Sequence, residues 1–269
     1  MNKRPLSFPQ SKAILREAAK PDAAHPSPDF PVIIKRGRGA RVITIDGNML
    51  HDFWLADGRY PLGHAPGFLT QAQKNAVSLG GLAAYLRNDH IRLLRRLAQR
   101  LPGYTLYFAR LDFSAEGTGA QNAEILDLRK NAFTTSKDLL PQGARPDIAL
   151  INGALWLDII AVRDGFPVSA AEELPDAPSC AYANTLLRKL DSIGEPYSKI
   201  AEHAALFKSH AASLLVDDAF FPRITMNEEK RIALLHEGFL LSPDGVIYFC
   251  AEHDPRAVTR LANALMDMR

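Results

Sequence analysis

Cysteine is almost missing from this sequence: Cys180 and Cys250 are the only two in 269 residues. Two isolated thiols make neither a disulfide framework nor a cysteine metal cluster, and both read as packed core thiols. An excess of charge of one sign is missing as well. Thirty-two Lys and Arg stand against 30 Asp and Glu, a net of +2, so nothing in the composition favours phosphate backbones and no nucleic-acid partner is expected. No apolar run approaches the roughly 20 residues that span a bilayer. The opening MNKRPLSFPQSKAILREAAK places charges where a signal peptide carries its apolar stretch. Together these absences predict a cytoplasmic protein in a reducing compartment, with no membrane partner. What remains is ordinary globular material, 47% hydrophobic and 23% charged, which excludes disordered and fibrous classes and suffices for a full core.

Metal and hydrolase signatures are also lacking. His51, His90, His203, His210, His236 and His253 show no HExxH-type spacing, so structural roles are expected and no metal site. No G-x-S-x-G elbow supports a serine-hydrolase triad. The basic run RLLRRLAQR, Arg92 to Arg100, reads as a solvated helix face.

The pattern along the chain predicts α/β architecture. Residues 11–20 form a short amphipathic stretch, followed by the linker-like PDAAHPSPDF. Apolar runs at residues 32–34, 41–46 and 49–53, separated by GRG and DGN turn signals, predict a small antiparallel meander. Helical spacing follows at 67–79 and 89–101, the second capped by Asn88 or Asp89. Residues 104–113 read as a buried strand, running into SAEGTGAQNAEILDLRK, a small-residue loop followed by a helix. DIALI and LDIIAV read as two more buried strands. Helices are expected at 181–193, 197–215 and 227–236. FLLS, a DG turn and VIYFC follow, and a last helix opens on Pro255.

The stretch KRGRGARVITIDGNMLHDFWLADGRYPLGHAPGFLTQAQ resembles the N-terminal segment of class III aminotransferases. Gly37, Gly39, Ala40, Asp46, Gly47, Asp52, Phe53, Leu62, Gly63 and His64 fall in the register of that family's meander and LGH turn. Three further segments keep family order. SAEGTGAQNAEILDLRK is similar to the phosphate loop and its helix, and RPDIALINGAL to the strand that carries the cofactor lysine. GFLLSPDGVIYFCAEHDPRAVTRLANAL is similar to the small C-terminal domain, ending near His253. The glutamate-1-semialdehyde aminomutase branch is nearest. The resemblance implies a truncated fold-type I pyridoxal phosphate (PLP) transferase-like large-domain remnant, with small α+β N- and C-terminal parts. Its expected divisions are an N-terminal segment with the meander (1–65), a reduced α/β large domain (66–195) and a C-terminal α+β domain (196–269).

Where the chain departs from the family, the chemistry changes. PLP chemistry needs a Schiff-base lysine, an acid at the pyridine nitrogen, a stacking aromatic and a phosphate cup. The alignment places Gly153 at the lysine position, and the nearest lysine to it is Lys137. The long family segment holding the aromatic and the acid shrinks to residues 131–145. The phosphate loop keeps Gly117 and Thr118, a vestigial cup with backbone N–H groups for an anion. Glu116 in the same loop sets a carboxylate where phosphate would lie.

The resemblance therefore implies an aminotransferase-like protein without its lysine, inactive as a transaminase and with no cofactor expected. It would bind a small amino- or keto-acid-like ligand, or serve as the partner subunit in a homodimer or in a heterodimer with a full-length aminotransferase. The alternative is an enzyme in the same cleft. One version uses PLP on a relocated lysine, Lys130 or Lys137. The other is a cofactor-free acid–base catalyst of lyase or isomerase type, with Glu116, Asp112 and His64 as candidate catalytic residues.

Overall fold

The computed structural model describes residues 5–18, 32–80, 86–109, 123–128, 140, 143–152, 158–166, 176–192, 195–217 and 219–268. The chain divides into two compact units. One comprises Met1–Ala56, Leu62–Ala65 and Ser198–Arg269, the other Asp57–Pro61 and Pro66–Tyr197.

The first unit is built on the meander. Strands β1 (Ile34–Arg38), β2 (Arg41–Thr44) and β3 (Met49–Asp52) pair antiparallel, and the pattern of alternating side chains buries Val42, Thr44, Leu50 and Asp52 on one face. Its first strand runs through the expected GRG turn, which moves the reversal to Gly39–Ala40. Helix α1 (Pro9–Ala18) is fastened to this sheet through Asp46, whose carboxylate accepts the Gln10 N–H at 2.6 Å and the Ser11 hydroxyl. Phe8, Val42, Leu50, Leu235 and Leu240 form the core on that face.

From the C-terminal segment come α6 (Glu195–Ala211), β8 (Leu215–Asp217), β9 (Arg223–Ile224), α7 (Glu228–His236), β10 (Phe239–Leu240) and α8 (Pro255–Asp267). The residues of α6 beyond Tyr197 belong to this unit. The two residues of β10 complete the meander sheet in the order β1-β2-β3-β10, parallel to β3. Asn227 caps α7 by accepting the Lys230 N–H, and Asp254 caps α8 with Pro255 in its first turn. VIYFC is not a strand. It is instead held by single hydrogen bonds, from Ile247 N–H to Pro222 O and from Tyr248 N–H to Phe53 O, both 2.9 Å.

The second unit holds α3 (Gly67–Ser78), α4 (Asn88–Ala98), α5 (Ala177–Ser192) and the sheet β4-β7-β6-β5. Its strands are β4 (Tyr104–Ala109), β5 (Ile125–Leu128), β6 (Ile148–Asn152) and β7 (Asp158–Arg163). β7 is buried on both faces along Asp158–Val162, which is why it reads as an uninterrupted apolar run. Helix α4 begins differently from expectation. Neither Asn88 nor Asp89 is its N-cap; Arg87 is, and the His90 ring nitrogen accepts the Arg87 N–H at 3.0 Å.

The strand β5 corrects the helix expected over AEILDLRK. Residues 125–128 pair in parallel with β6, Ile125 opposite Ile148 through Leu128 opposite Ile151. A clasp starts the pairing: Glu124 donates its N–H to the Asp147 carboxylate at 2.9 Å, while its carbonyl accepts from Asp147 and Ile148. The exposed edge of β6 offers this segment a ladder, and that outweighs its intrinsic helix preference.

Candidate functional site

In the second unit the register fixes which strand ends meet. β4, β5 and β6 all run antiparallel to β7 or parallel to one another, so they finish at one edge, at Ala109, Leu128 and Asn152. β7 starts there at Asp158, which lies opposite both Ala109 and Asn152. Open α/β sheets bind ligands at the carboxyl ends of their strands, so this edge is where a ligand site is expected. Asp158 is 2% exposed, and its carboxylate takes a 2.8 Å ion pair from the Arg59 guanidinium, itself 8% exposed. The two residues lie 99 positions apart, and nothing in the pattern of either segment announces the pair.

The sequence candidates mostly lead off that same edge in the chain. Gly153 is bonded to Asn152, the last residue of β6. Asp112, Glu116, Gly117 and Thr118 follow Ala109, and Lys130 and Lys137 follow Leu128. All seven lie outside the described residues. Asp158, with Arg59 as its partner, is therefore the polar side chain described at this edge.

His64 is described, and it belongs to the first unit. Its Nε2 sits 2.7 Å from Oδ2 of Asp52. Its backbone exchanges two hydrogen bonds with Gly39, N to O at 2.7 Å and O to N at 3.0 Å. The glycines of the motif have a steric reason. A Cβ on Gly37 would stand 2.6 Å from Cγ of His64, and one on Gly63, at φ +74°, would stand 2.7 Å from the Gly39 carbonyl carbon.

Asp52 holds the joint together. Oδ1 accepts the N–H groups of Trp54 and Leu55, both at 2.9 Å. These bonds anchor a single turn, α2 (Leu55–Gly58), in which Leu55, Ala56 and Asp57 take φ of 51°, 48° and 59°. Left-handed backbone costs L-residues about 1–2 kcal/mol each, so the turn persists only because its surroundings dictate it. The Asp52 carbonyl accepts from Nε2 of His253 at 3.1 Å, and Nδ1 of His253 accepts the Cys250 N–H at 2.9 Å. The imidazole stacks on Phe53 with centroids 4.3 Å apart. Burial pushes its pKa down to about 3, so His253 is a neutral hydrogen-bonding strut.

His203 lies with its ring centroid 6.3 Å from that of His253, and burial lowers its pKa too. Burial raises the thiol pKa of both Cys180 and Cys250, which keeps them protonated. Among the described residues no group of three or more His, Cys, Asp or Glu is placed to hold a metal ion. No helix among them is long and apolar enough to cross a membrane.

No protein-family model matches the chain. A glutamate-1-semialdehyde 2,1-aminomutase of Gemmatimonas aurantiaca is 31% identical over 90 residues, which is 34% of this chain and 20% of the relative. The glutamate-1-semialdehyde 2,1-aminomutase 2 of Shouchella clausii is 35% identical over 72 residues, 27% of this chain and 17% of the relative. These matches thus take in about a fifth of the length of the curated relatives. In three dimensions the chain is similar to a transaminase solved with PLP bound, at a TM-score of 0.73 and 13% identity over 97% of each chain. It is similar to ornithine delta-aminotransferase of Plasmodium falciparum at a TM-score of 0.72 and 12% identity, over 96% of this chain and 97% of that one. At such identities the likeness establishes a shared fold.

Proposed function

We propose, from the premise that this chain carries the fold of the class III PLP-dependent aminotransferases, that it does not transaminate. In this reading it binds a small amino- or keto-acid-like ligand at the carboxyl edge of its four-stranded sheet. The observation that carries the reading is Gly153, bonded to the end of β6 where the resemblance expects the imine-forming lysine. Glycine has no amine to form or exchange an imine.

The other donors point the same way. The four strands read YTLYFA, ILDL, IALIN and DIIAVR, without a lysine among them. This donor set does not fit PLP held as an imine. It fits a polar, non-covalent ligand that needs no amine, met at the edge by the Arg59–Asp158 ion pair.

Partnership with a second chain is the companion reading, favoured by one observation. Phe68, Val77, Leu79 and Leu86, around α3 and the start of α4, are 40–72% exposed. Apolar side chains grouped along one helical region gain from being covered by another subunit. A homodimer, or a heterodimer with a full-length aminotransferase, would do so.

The deciding experiment is a PLP titration of the purified protein, followed by visible absorbance, borohydride reduction and mass spectrometry. The expected result is no saturable aldimine band and no trapped adduct, with a G153K variant gaining both. A saturable band trapped on one lysine of the unaltered protein, such as Lys130 or Lys137, overturns the reading in favour of an enzyme with a relocated lysine. Thermal shift with L-glutamate and 2-oxoglutarate as probes tests the binding half. Stabilisation that D158N abolishes supports it, and no shift with either probe argues against it.

A further inference from the structure

One face of the meander sheet carries a pattern that neither the fold nor the proposed ligand site uses. Residues directly opposite one another in the ladder share a face. The register therefore aligns Arg38, Arg41, His51 and Phe239 in one row across all four strands, and Arg36, Ile43 and Met49 in the next. Arg260 of α8 closes the first row, its guanidinium 5.3 Å over the Phe239 ring. Arg36, Arg38, Arg41 and Arg260 are all exposed, and Met49 is 52% exposed. Adjacent strands lie about 4.8 Å apart, so the four arginines and the apolar strip between them fit a few residues of extended chain.

The arrangement is costly as it stands. Arg38 and Arg41 are direct cross-strand partners, and like charges in that position repel. Among the described residues none of the four arginines has an ion pair with a carboxylate. Arg41 instead donates to the Met49 sulfur at 3.9 Å. Positive charge is a familiar guard on an edge strand, which would account for β1. It does not account for Arg41 on the interior strand, set opposite Arg38. The field of this cluster is felt locally: burial first, then Arg41 and Arg260, lower the pKa of His51 to about 4 against the opposing influence of Asp254. The imidazole is thus a neutral, half-buried surface between the cations.

We infer that this face docks an acidic segment of a partner protein, lying extended across the strands and alternating carboxylates with apolar side chains. The carboxylates meet Arg38, Arg41 and Arg260 and offset their repulsion; the apolar side chains cover Ile43 and Met49. Charge complementarity selects an acidic partner. The interleaved Met49 and Ile43, together with the near-neutral total charge of +2, select a peptide over a nucleic acid.

The test is fluorescence anisotropy on the whole chain at about 0.15 M salt, where distant charges are screened. The probe is a labelled hexapeptide of alternating Glu and Leu. Saturable binding is expected, weakened at least about tenfold in R38E/R41E and about threefold in M49S, which leaves the charge unchanged. The double variant K12E/R16E in α1, equal in charge change and in the same unit, keeps the unaltered affinity. The single variant R41E adds a readout that damaged folding would not give. It replaces a repulsive pair by an attractive one and so raises the melting temperature by about 1–3 °C while weakening the peptide. The inference is overturned if the unaltered chain does not bind, if R38E/R41E binds as before, or if K12E/R16E loses as much. It is equally overturned if a DNA duplex displaces the peptide at matched charge, or if sedimentation shows that the face is already closed by a second copy which R38E/R41E releases.

Discussion

Each unit rests on one buried aspartate, and the two are held in opposite ways. Asp158, at the carboxyl edge of the four-stranded sheet, is held by a side chain, the guanidinium of Arg59. Asp52, in the meander unit, is held mostly by backbone. Its carboxylate takes the amides of Trp54 and Leu55 besides His64, and its carbonyl takes His253. A partner that is a side chain can be exchanged together with its aspartate for something apolar. A partner that is a peptide N–H is part of every chain and stays in need of an acceptor. The joint around Asp52 is therefore fixed by the fold, whereas the edge around Asp158 is open to chemical drift. That edge is where the proposed function places its ligand.

Mutagenesis of the two aspartates gives the sharpest contrast. Asp52→Ala strands two amides, unclamps His64 and leaves the left-handed turn unsupported, so a loss of about 3–5 kcal/mol in denaturant unfolding is expected. Adding H64L should restore nothing. Arg59→Met costs about 3 kcal/mol by leaving a carboxylate buried without its guanidinium, but R59M/D158L should recover most of that, as paired apolar replacements of buried ion pairs do. Recovery in both units, or in neither, would break the contrast.

Acid separates the units next. His253 is neutral in the fold with a pKa near 3, against about 6.5 in an unfolded chain. Its contribution is complete above pH 6.5. As the pH falls towards 3 the unfolded state takes up the proton first, and stability drops by about 1.4 kcal/mol per pH unit. His51 and His203, in the same unit, shift in the same direction. Unfolding midpoints measured at pH 7 and pH 5 should differ for the unaltered protein and less so for His253→Gln. An equal difference in both would remove His253 from the account.

The smallest effect concerns the strained turn. Ala56 sits at φ 48°, where glycine adopts the conformation freely. Ala56→Gly should stabilise by about 0.5 kcal/mol, after the greater entropy of the unfolded glycine chain is deducted. A loss of stability would mean that the alanine methyl group is packed more tightly than its exposure suggests.

Much of this was legible in the residues. The apolar runs and the DGN turn signal located β2 and β3, whereas the GRG signal misplaced the first reversal, and the Gly37, Gly63 and His64 clasp was visible only as part of the motif resemblance. Helices α3, α6, α7 and α8 followed from apolar spacing and caps to within a few residues. Three things were not legible. β5 owes its form to the edge of β6 rather than to its own residues, and β10 is a two-residue strand whose partner lies far back in the chain. The pair of Arg59 and Asp158 joins an arginine beside a strained turn to an aspartate at a strand start, with no periodicity linking them. Long-range pairing leaves no local trace. Glu116, Asp112, Gly117, Thr118 and Gly153 were legible only through the resemblance, and their roles belong to the proposed function.

The pairing of β10 with β3 has a consequence for how the protein comes to be folded. Phe239 and Leu240 lie 188 residues after His51 and Asp52, their partners. At a synthesis rate of about 5–20 residues per second, the meander waits roughly 10–40 s on the ribosome for its fourth strand. The segment between them, which builds the four-stranded sheet, emerges whole in that interval. The nascent chain should therefore acquire the four-stranded sheet first, leaving an unpaired flank of β3 as the surface that chaperones meet until β10 arrives.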